Sequence, residues 1–205
     1  QNQRRRFGRD EGIGALEHDR GLVDAEEGVE DKREGAAGCG AKVRTGEQVV
    51  TWRVSGAGVN VTTDRGQFEA SRLILCAGAW LPGLIPSLKE KARIFRQVQF
   101  WFEPDGPDEL FTPDRMPVFI RVPDAGTAMF YGFPAIDGPG GGLKIAGEQF
   151  DHVSEPDDIS AGVHPEESAA MHALASPHLR ISARCVRAVP CKYTVTPDFN
   201  FVIDH

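Results

Sequence analysis

The sequence predicts an α+β fold for this chain of 205 residues. Three observations lead to this prediction. Short strand patterns follow one another with glycine or proline turns between them, one continuous apolar run fits a buried strand, and one segment carries the signals of a helix start. The composition, 40% hydrophobic and 26% charged, is that of a globular protein, and the length suffices for one domain or parts of two.

The N-terminal region begins without clear periodicity. Residues 1–38 are charged and glycine-rich, although a stretch of Glu and Ala at 24–37 predicts a helix with a thin apolar stripe. Regular patterns start after this region, and the first well-defined strand is predicted at 48–54.

A hairpin and a buried strand are predicted next. Strands at 59–63 and 67–70 flank a turn that ends in Gly66, where a positive φ is needed. The run at 73–76, Leu-Ile-Leu-Cys, fits a strand that is buried on both faces. Small residues follow it at 77–79, where the backbone can approach another group closely.

The second half of the chain is richer in predicted strands. Turn signals separate them, which argues for an antiparallel sheet, and a glycine-rich turn occupies 138–142. A helix is predicted from Pro165, with acidic residues in its first turn, to Leu174. The predicted strands are 94–103, 117–122, 128–134, 143–147, 185–189 and 201–203.

Charge and composition exclude several classes of function. The formal net charge of -7 argues against a nucleic-acid-binding surface, and no apolar run reaches membrane-spanning length. The sequence has neither a complete GxGxxG fingerprint nor a GxSxG motif, and its histidines form no metal-binding pairs, so we expect no metal site. Four cysteines without zinc-type spacing favour a reducing cytoplasm over a disulfide scaffold.

One segment near the C-terminal end is far more specific than these patterns. It reads Cys191-Lys192-Tyr193-Thr194-Val195-Thr196-Pro197-Asp198 and leads into Phe201-Val202-Ile203-Asp204. This segment resembles the flavin-attachment stretch of the monomeric sarcosine oxidase and N-methyltryptophan oxidase family, FAD-dependent amine oxidases of the D-amino-acid oxidase superfamily. Three further stretches agree with the resemblance and follow the family's order: 73–80, 95–98 and 131–144.

The resemblance implies a partial FAD-binding, Rossmann-like domain and a substrate domain built on an antiparallel sheet. Residues 1–90 would form the incomplete FAD-binding domain, 91–179 the substrate domain, and 180–205 the return to the FAD-binding domain. The family's glycine-rich βαβ unit, which binds the FAD pyrophosphate, has no counterpart in the sequence. We therefore expect a fragment lacking both ends, which binds FAD weakly by itself.

The resemblance also assigns cofactor-binding residues. Cys191 would hold FAD covalently through a thioether to the flavin 8α-methyl carbon, a reaction that requires the thiolate. Composition alone favours a buried structural cysteine at this position, and the surrounding motif reverses that preference. Four further residues would lie beside the cofactor: Val49, Ala77, Gly78 and Trp80.

Four residues are predicted to be catalytic. Lys144 would stand near flavin N5, where a fixed ammonium stabilises charge as oxygen is reduced. Tyr131 and Tyr193 would line the substrate pocket with their rings and hydroxyl groups. Glu148 occupies the position at which sarcosine oxidases carry a histidine. A carboxylate there attracts an ammonium and repels a carboxylate, so a secondary amine or N-alkyl amino acid other than sarcosine is the predicted substrate.

The implied reaction is oxidation of the C–N bond of a secondary amine or N-methyl amino acid, with release of hydrogen peroxide. The partners would be a small-molecule amine and O2, without nucleic acid or membrane, and the protein would act as a cytoplasmic monomer. Two alternatives stay open. One is a flavin dehydrogenase that uses another electron acceptor, and the other is an inactive truncated fragment.

Overall fold

The computed structural model describes residues 13–15, 33–123, 128–158 and 162–203. The chain divides into two compact units. The first comprises Gln1–Leu22 and Ile94–Tyr193, and the second comprises Val23–Arg93 and Thr194–His205.

The regular elements within the described ranges are numbered along the chain. The helices are α1 (33–38), α2 (Leu81–Leu84) and α3 (Pro165–Ala175). The strands are β1 (Ile13–Ala15), β2 (Val49–Ser55), β3 (Gly58–Thr63), β4 (Gln67–Ala70), β5 (Arg93–Pro104), β6 (Phe119–Arg121), β7 (Phe130–Phe133), β8 (Leu143–Gly147) and β9 (Ile181–Val195). Short 3-10 helices occupy Gly78–Trp80, Pro86–Leu88, Asp108–Phe111 and Pro139–Gly141.

A six-stranded sheet forms the body of the first unit. Its strand order is β1-β6-β7-β8-β5-β9. The pairs β1–β6, β6–β7, β7–β8 and β8–β5 are antiparallel. Short connections place β6, β7 and β8 side by side, whereas β5 and β9 reach their places from more distant parts of the chain. The predicted antiparallel sheet is confirmed.

Alternating side chains of β5 divide this sheet into two faces. Val98, Phe100 and Phe102 are almost fully buried, while Gln99 and Trp101 between them are half-buried on the opposite face. The buried side chains form the main core of the unit, and β7, β8 and α3 contribute Phe130, Leu143, Ile145, Met171 and Ala175 to it. Since one face is used for packing, the other is available for a functional site.

Helix α3 covers the core face. Pro165 takes its first position, where a missing N–H costs nothing, and the Glu167 carboxylate accepts the backbone N–H of His164 at 2.8 Å in a capping box. Met171 and Ala175, four residues apart, lie on the same side of the helix and are buried. The helix predicted at 165–174 is confirmed, with its end one residue later.

An ion pair joins α3 to β5. Both terminal nitrogens of Arg96 donate to the Glu167 carboxylate, and Nη2 also donates to the Gly162 carbonyl at 2.8 Å. Burial alone would raise the pKa of Glu167, but the hydrogen bonds from Arg96 and from the His164 backbone lower it overall. The pair therefore links the helix to the sheet as two charged groups.

The second unit contains the antiparallel sheet β2-β3-β4. The β3–β4 hairpin turns at 64–66, where the Thr63 backbone N–H donates to the Gly66 carbonyl at 2.8 Å. The Trp52 indole N–H donates to the Leu84 carbonyl at 2.8 Å, which attaches α2 to β2. The strand predicted at 48–54 and the hairpin that follows it are confirmed. The positive φ predicted for Gly66 is wrong, since the φ of this residue lies outside the left-handed region.

Two predicted strands of this unit are wrong. Residues 73–76 and 201–203 adopt no regular structure. Ile74, Phe201 and Ile203 are 86%, 97% and 93% exposed, respectively. A strand buried on both faces needs hydrogen-bonded neighbours, and in the described part of the chain no strand pairs with either segment. Apolar composition alone cannot supply those neighbours.

The predicted boundaries differ from those of the compact units. The units divide at 93/94 and 193/194, whereas the sequence suggested 90/91 and 179/180. The later position of the second boundary follows from β9, which pairs with β5 in the large sheet. The division into FAD-binding and substrate domains stays a prediction.

Of the irregular region 1–38, most lies outside the described residues, and the predicted helix at 24–37 is described only from residue 33 onward.

Every helix in the described ranges is too short or too polar to cross a membrane.

Replacing Glu167 with Gln should lower the free energy of unfolding by about 2 kcal/mol at neutral pH, because Arg96 loses its charged acceptor. Gln retains an oxygen for the His164 N–H, so the capping bond survives. The Glu167 pKa is lower in the folded than in the unfolded state. Its contribution is therefore present above the unfolded value, about 4.3, and is lost as the pH falls through the folded value. Urea unfolding at several pH values measures both effects.

Glu166→Gln is the matched control, since Glu166 is exposed in the same helical turn. It should change stability by less than about 0.5 kcal/mol. A destabilisation by Glu167→Gln that persists undiminished at about pH 3 would contradict the charged-pair explanation.

Candidate functional site

The sheet face opposite the core gathers polar and aromatic side chains in two rows. Residues directly opposite each other on neighbouring antiparallel strands share a face. Lys144 of β8 stands opposite Trp101 of β5 on one side and Phe133 of β7 on the other. The adjacent row consists of Gln99, Ala146 and Tyr131.

A glycine-rich turn directly precedes β8. Gly138 and Gly142 have φ of 75° and 82°, values that favour glycine. A Cβ on Gly142 would lie 2.8 Å from Cγ2 of Val186 and 3.0 Å from the carbonyl oxygen of Phe102. The turn predicted at 138–142 is thus confirmed, and only glycine fits its last position, two residues before Lys144.

The Lys144 side chain lies among aromatic rings. Its Nζ is 5.3 Å from the centroid of the Trp101 ring and 5.1 Å from that of Phe133, both within cation–π range. The guanidinium carbon of Arg187 on β9 lies 4.7 Å from the Trp101 centroid. The site therefore combines two cationic side chains, Lys144 and Arg187, with the faces of aromatic rings.

Cys191 lies half-buried on β9 near this ammonium. Burial raises the pKa of the Cys191 thiol, while the positive charge of Lys144 and a hydrogen bond from the Gln99 side chain act in the opposite direction. The thiol therefore stays protonated at neutral pH, and Lys144 and Gln99 are the nearby groups that favour its thiolate.

Two tyrosines complete the cluster. The hydroxyls of Tyr131 and Tyr193 are 3.1 Å apart, which joins β7 to β9. Burial raises the pKa of Tyr131, and the hydrogen bond to Tyr193 and the nearby groups of Tyr193, Cys191 and Glu148 raise it further. Tyr131 is therefore a neutral phenol at physiological pH. Since one hydroxyl donates to the other, the acceptor keeps its own hydrogen for a second partner.

Glu148 follows directly after β8 and is exposed. It lies two positions beyond Ala146, on the side of the chain that alternation assigns to Lys144 and Ala146, and its charge contributes to the raised pKa of Tyr131. The structure therefore brings together Cys191 and all four predicted catalytic residues, Lys144, Tyr131, Tyr193 and Glu148, within the first unit.

The remaining predicted cofactor residues belong to the second unit. Val49 begins β2 and is 37% exposed. Ala77 precedes the short 3-10 helix Gly78–Trp80, and Gly78 has a φ of 52°. Their assignment to the cofactor stays a prediction.

Sequence reasoning missed four members of the cluster: Gln99, Trp101, Phe133 and Arg187. A signal for the first two was present, because Gln99 and Trp101 alternate with the apolar Val98, Phe100 and Phe102 in a predicted strand. The contacts of Phe133 and Arg187 depend on which strands become neighbours, and no local pattern carries that information.

The donor set of the cluster fits an organic cofactor. In the described ranges, no three His, Cys, Asp or Glu residues are grouped so as to hold a metal. A thiol beside an ammonium, with partly exposed aromatic rings on the same face, can bind a planar electron-poor ring system covalently and by stacking.

Comparisons with known proteins agree with this chemistry. The sequence profile of the DAO family, described as FAD dependent oxidoreductase, matches residues 2–205. The chain is 35% identical over 199 residues to a monomeric sarcosine oxidase from Streptomyces avermitilis, covering 93% of this chain and 50% of that protein. It is 29% identical over 210 residues to an N-methyl-L-tryptophan oxidase from Salmonella enteritidis, covering 94% and 50%, respectively.

Solved structures show the same fold. NikD, an unusual amino acid oxidase essential for nikkomycin biosynthesis, superposes with a TM-score of 0.62 at 21% identity, over 85% of this chain and 45% of that one. The chain spans about half the length of the curated relatives it matches. Since the family profile covers nearly the whole sequence, the chain belongs to the family of FAD dependent oxidoreductases.

Proposed function

We propose that this chain carries the flavin-attachment and oxygen-reaction residues of an FAD-dependent amine oxidase that acts on a secondary amine or an N-methyl amino acid and releases hydrogen peroxide. One observation carries the proposal. Cys191 and Tyr193 of β9 are distant in sequence from Tyr131 of β7 and Lys144 of β8, yet the four residues form one cluster on one face of a sheet. If these residues occurred in the sequence by chance, the fold would have no reason to bring them together.

The cluster fits the isoalloxazine part of FAD. Trp101, Tyr131 and Phe133 are half-buried rather than packed in the core, so their rings can contact a flat ligand. When bound, FAD would supply the redox chemistry: it would take a hydride equivalent from the carbon attached to the amine nitrogen, so that the C–N single bond becomes an imine, and would pass two electrons to O2 to give hydrogen peroxide. The chain's own residues supply attachment, orientation and charge.

Cys191 is the proposed attachment residue. For the sulfur to bond to the 8α-methyl carbon, the thiol and that methyl group would each lose a proton, and the two electrons released would pass to the flavin ring and from there to O2. Burial opposes the loss of the thiol proton. Lys144 and Gln99 offset the effect of burial by stabilising the thiolate. Attachment should consequently proceed faster at alkaline than at neutral pH.

Lys144 has a second proposed role after attachment. An ammonium fixed on the sheet stabilises negative charge that develops on oxygen, and it does so without reorganising solvent. Such a charge distinguishes an oxidase from a dehydrogenase that delivers electrons to another acceptor.

Tyr131, Tyr193 and Glu148 are proposed to select the substrate. The tyrosine pair offers a hydroxyl oxygen, which can accept a hydrogen bond from a substrate ammonium, and two ring faces. The Glu148 carboxylate attracts a substrate ammonium and repels a substrate carboxylate. Together these groups favour a cationic secondary amine, or an N-alkyl amino acid whose carboxylate points away from Glu148.

Several properties follow as parts of the same proposal. The partners are a small-molecule amine and O2, and the protein works as a cytoplasmic monomer. All four cysteines are free thiols, which is compatible with a reducing compartment.

Replacing Cys191 with Ser should abolish covalent flavin in the protein expressed from the complete open reading frame. Serine cannot supply a thiolate, so yellow colour should no longer remain with the protein after acid precipitation. Cys185→Ser is the matched control, because Cys185 lies on the same strand and packs against the core. Covalent colour that survives in Cys191→Ser would rule out this attachment residue.

Replacing Lys144 with Met should slow reoxidation of the reduced flavin by about 100-fold or more, with a much smaller effect on its reduction. Stopped-flow absorbance measures both half-reactions, with anaerobic reduction by substrate followed by mixing with O2. Lys192→Met is the control, since the Lys192 ammonium donates to the Glu155 and Pro156 carbonyls. Equal slowing of both half-reactions contradicts the role in oxygen reduction, and slow reoxidation of the wild type favours a dehydrogenase.

Replacing Glu148 with Gln should change substrate preference. Removing the carboxylate should raise KM for amines without a carboxyl group and lower KM for sarcosine, each by about 5- to 10-fold. Steady-state assays over a panel of N-methyl amines and N-methyl amino acids measure this change. Glu166→Gln, on the helix that covers the other sheet face, removes the same charge and should leave the preference unaltered. Sarcosine as the best wild-type substrate would count against the role of Glu148.

A further inference from the structure

We propose that Trp101 and Phe133 form an aromatic clamp that positions the Lys144 ammonium, and that Arg187 holds the Trp101 ring in place. The catalytic consequence of this clamp rests on the proposed function, whereas its existence can be tested without any cofactor.

The clamp originates in the strand register. Lys144 lies on β8, between β5 and β7, and its Cα is paired with that of Trp101 on one side and that of Phe133 on the other. Directly opposite residues project to the same face of a sheet, so both rings flank the lysine side chain. The distances from Nζ to the ring centroids, 5.3 and 5.1 Å, are nearly equal.

The physical need for a clamp follows from the nature of lysine. A lysine side chain has four rotatable bonds, and its ammonium is a strongly hydrated point charge, so it does not keep one position by itself. Attraction between the ammonium and two ring faces offsets the entropy lost when the side chain is ordered. The charge can thereby be held in place before oxygen or a thiolate is present, which is the condition for electrostatic preorganisation.

Arg187 extends the arrangement to a fourth strand. Its guanidinium carbon is 4.7 Å from the Trp101 centroid, and β9 is the neighbour of β5 in the sheet. A planar guanidinium stacks on an indole more readily than an ammonium does, so it restricts rotation of the ring. Across four consecutive strands the contacts run from Phe133 to Lys144, Trp101 and Arg187. Arg187 is thus a positioning residue that acts on Lys144 through the indole.

The first experiment observes the clamp directly. Lysine amines are dimethylated with 13C-formaldehyde, which preserves their charge, and the methyl signals are recorded by NMR. Ring currents from Trp101 and Phe133 should place the Lys144 methyl signal at a distinct upfield position, assigned by its loss in Lys144→Arg. Trp101→Leu or Phe133→Leu should move this signal toward the positions of exposed lysines, and Trp101→Phe should restore much of the upfield shift. The Lys192 signal serves as an internal control.

The second experiment measures the consequence for the reaction. In the protein expressed from the complete open reading frame, Trp101→Leu should slow flavin reoxidation by about 2- to 30-fold, the range expected for the loss of one cation–π contact. Because Trp101 is also proposed to contact the flavin, its reduction should slow as well, but by a smaller factor than reoxidation, so that the ratio of the two rates changes. Trp101→Phe should recover most of the rate, and Arg187→Met should produce a smaller loss in the same direction. If Trp101→Leu does not fold, Phe133→Leu tests the clamp through its other ring.

The outcomes separate the clamp from the proposed function. An unshifted Lys144 signal in the wild type, or one unchanged by both ring substitutions, overturns the clamp. The clamp is also overturned if Lys144→Met slows reoxidation while the ring variants reoxidise at the wild-type rate. That result leaves the proposed function intact. A shifted Lys144 signal in a protein that does not react with O2 supports the clamp and contradicts the oxidase.

Discussion

The antiparallel register of β7, β8 and β5 is the constraint on which the rest of the first unit depends. Because successive side chains of a strand alternate between faces, one register directs Phe100, Phe102 and Ile145 into the core and Lys144, Trp101 and Tyr131 to the opposite face. A slip of one residue would exchange the two sets. The burial that stabilises the sheet therefore also positions the functional cluster, and the two cannot vary independently.

Electrostatics within the cluster centre on one ammonium. Burial raises the pKa of the Cys191 thiol and of the Tyr131 phenol, so both stay neutral when no ligand is bound. Lys144 is the nearby cation that acts against burial at Cys191. In the proposed function the same charge first favours the thiolate during attachment and later favours negative charge on oxygen. One side chain therefore serves two steps, and its position matters for both.

Prediction of the fold succeeded wherever the signal was local. The hairpin around Gly66, the turn at 138–142 and the capped helix from Pro165 each depend on residues that are neighbours in the sequence. The runs at 73–76 and 201–203 failed for the opposite reason, since a buried strand exists only beside other strands. The compact units divide at 193/194 because β9 pairs with β5, a long-range contact that no local pattern indicates.

The candidate site shows the same difference between what local sequence signals predict and what long-range contacts decide. By itself the sequence determined which residues are proposed to carry the chemistry, through a specific motif and the resemblance it carries: Cys191, Lys144, Tyr131, Tyr193 and Glu148. Only the tertiary structure decided that these residues meet, and that Gln99, Trp101, Phe133 and Arg187 surround them. The reason is physical: a motif specifies side-chain chemistry, whereas contact between residues tens of positions apart is created by strand pairing, which depends on the packing of the whole sheet.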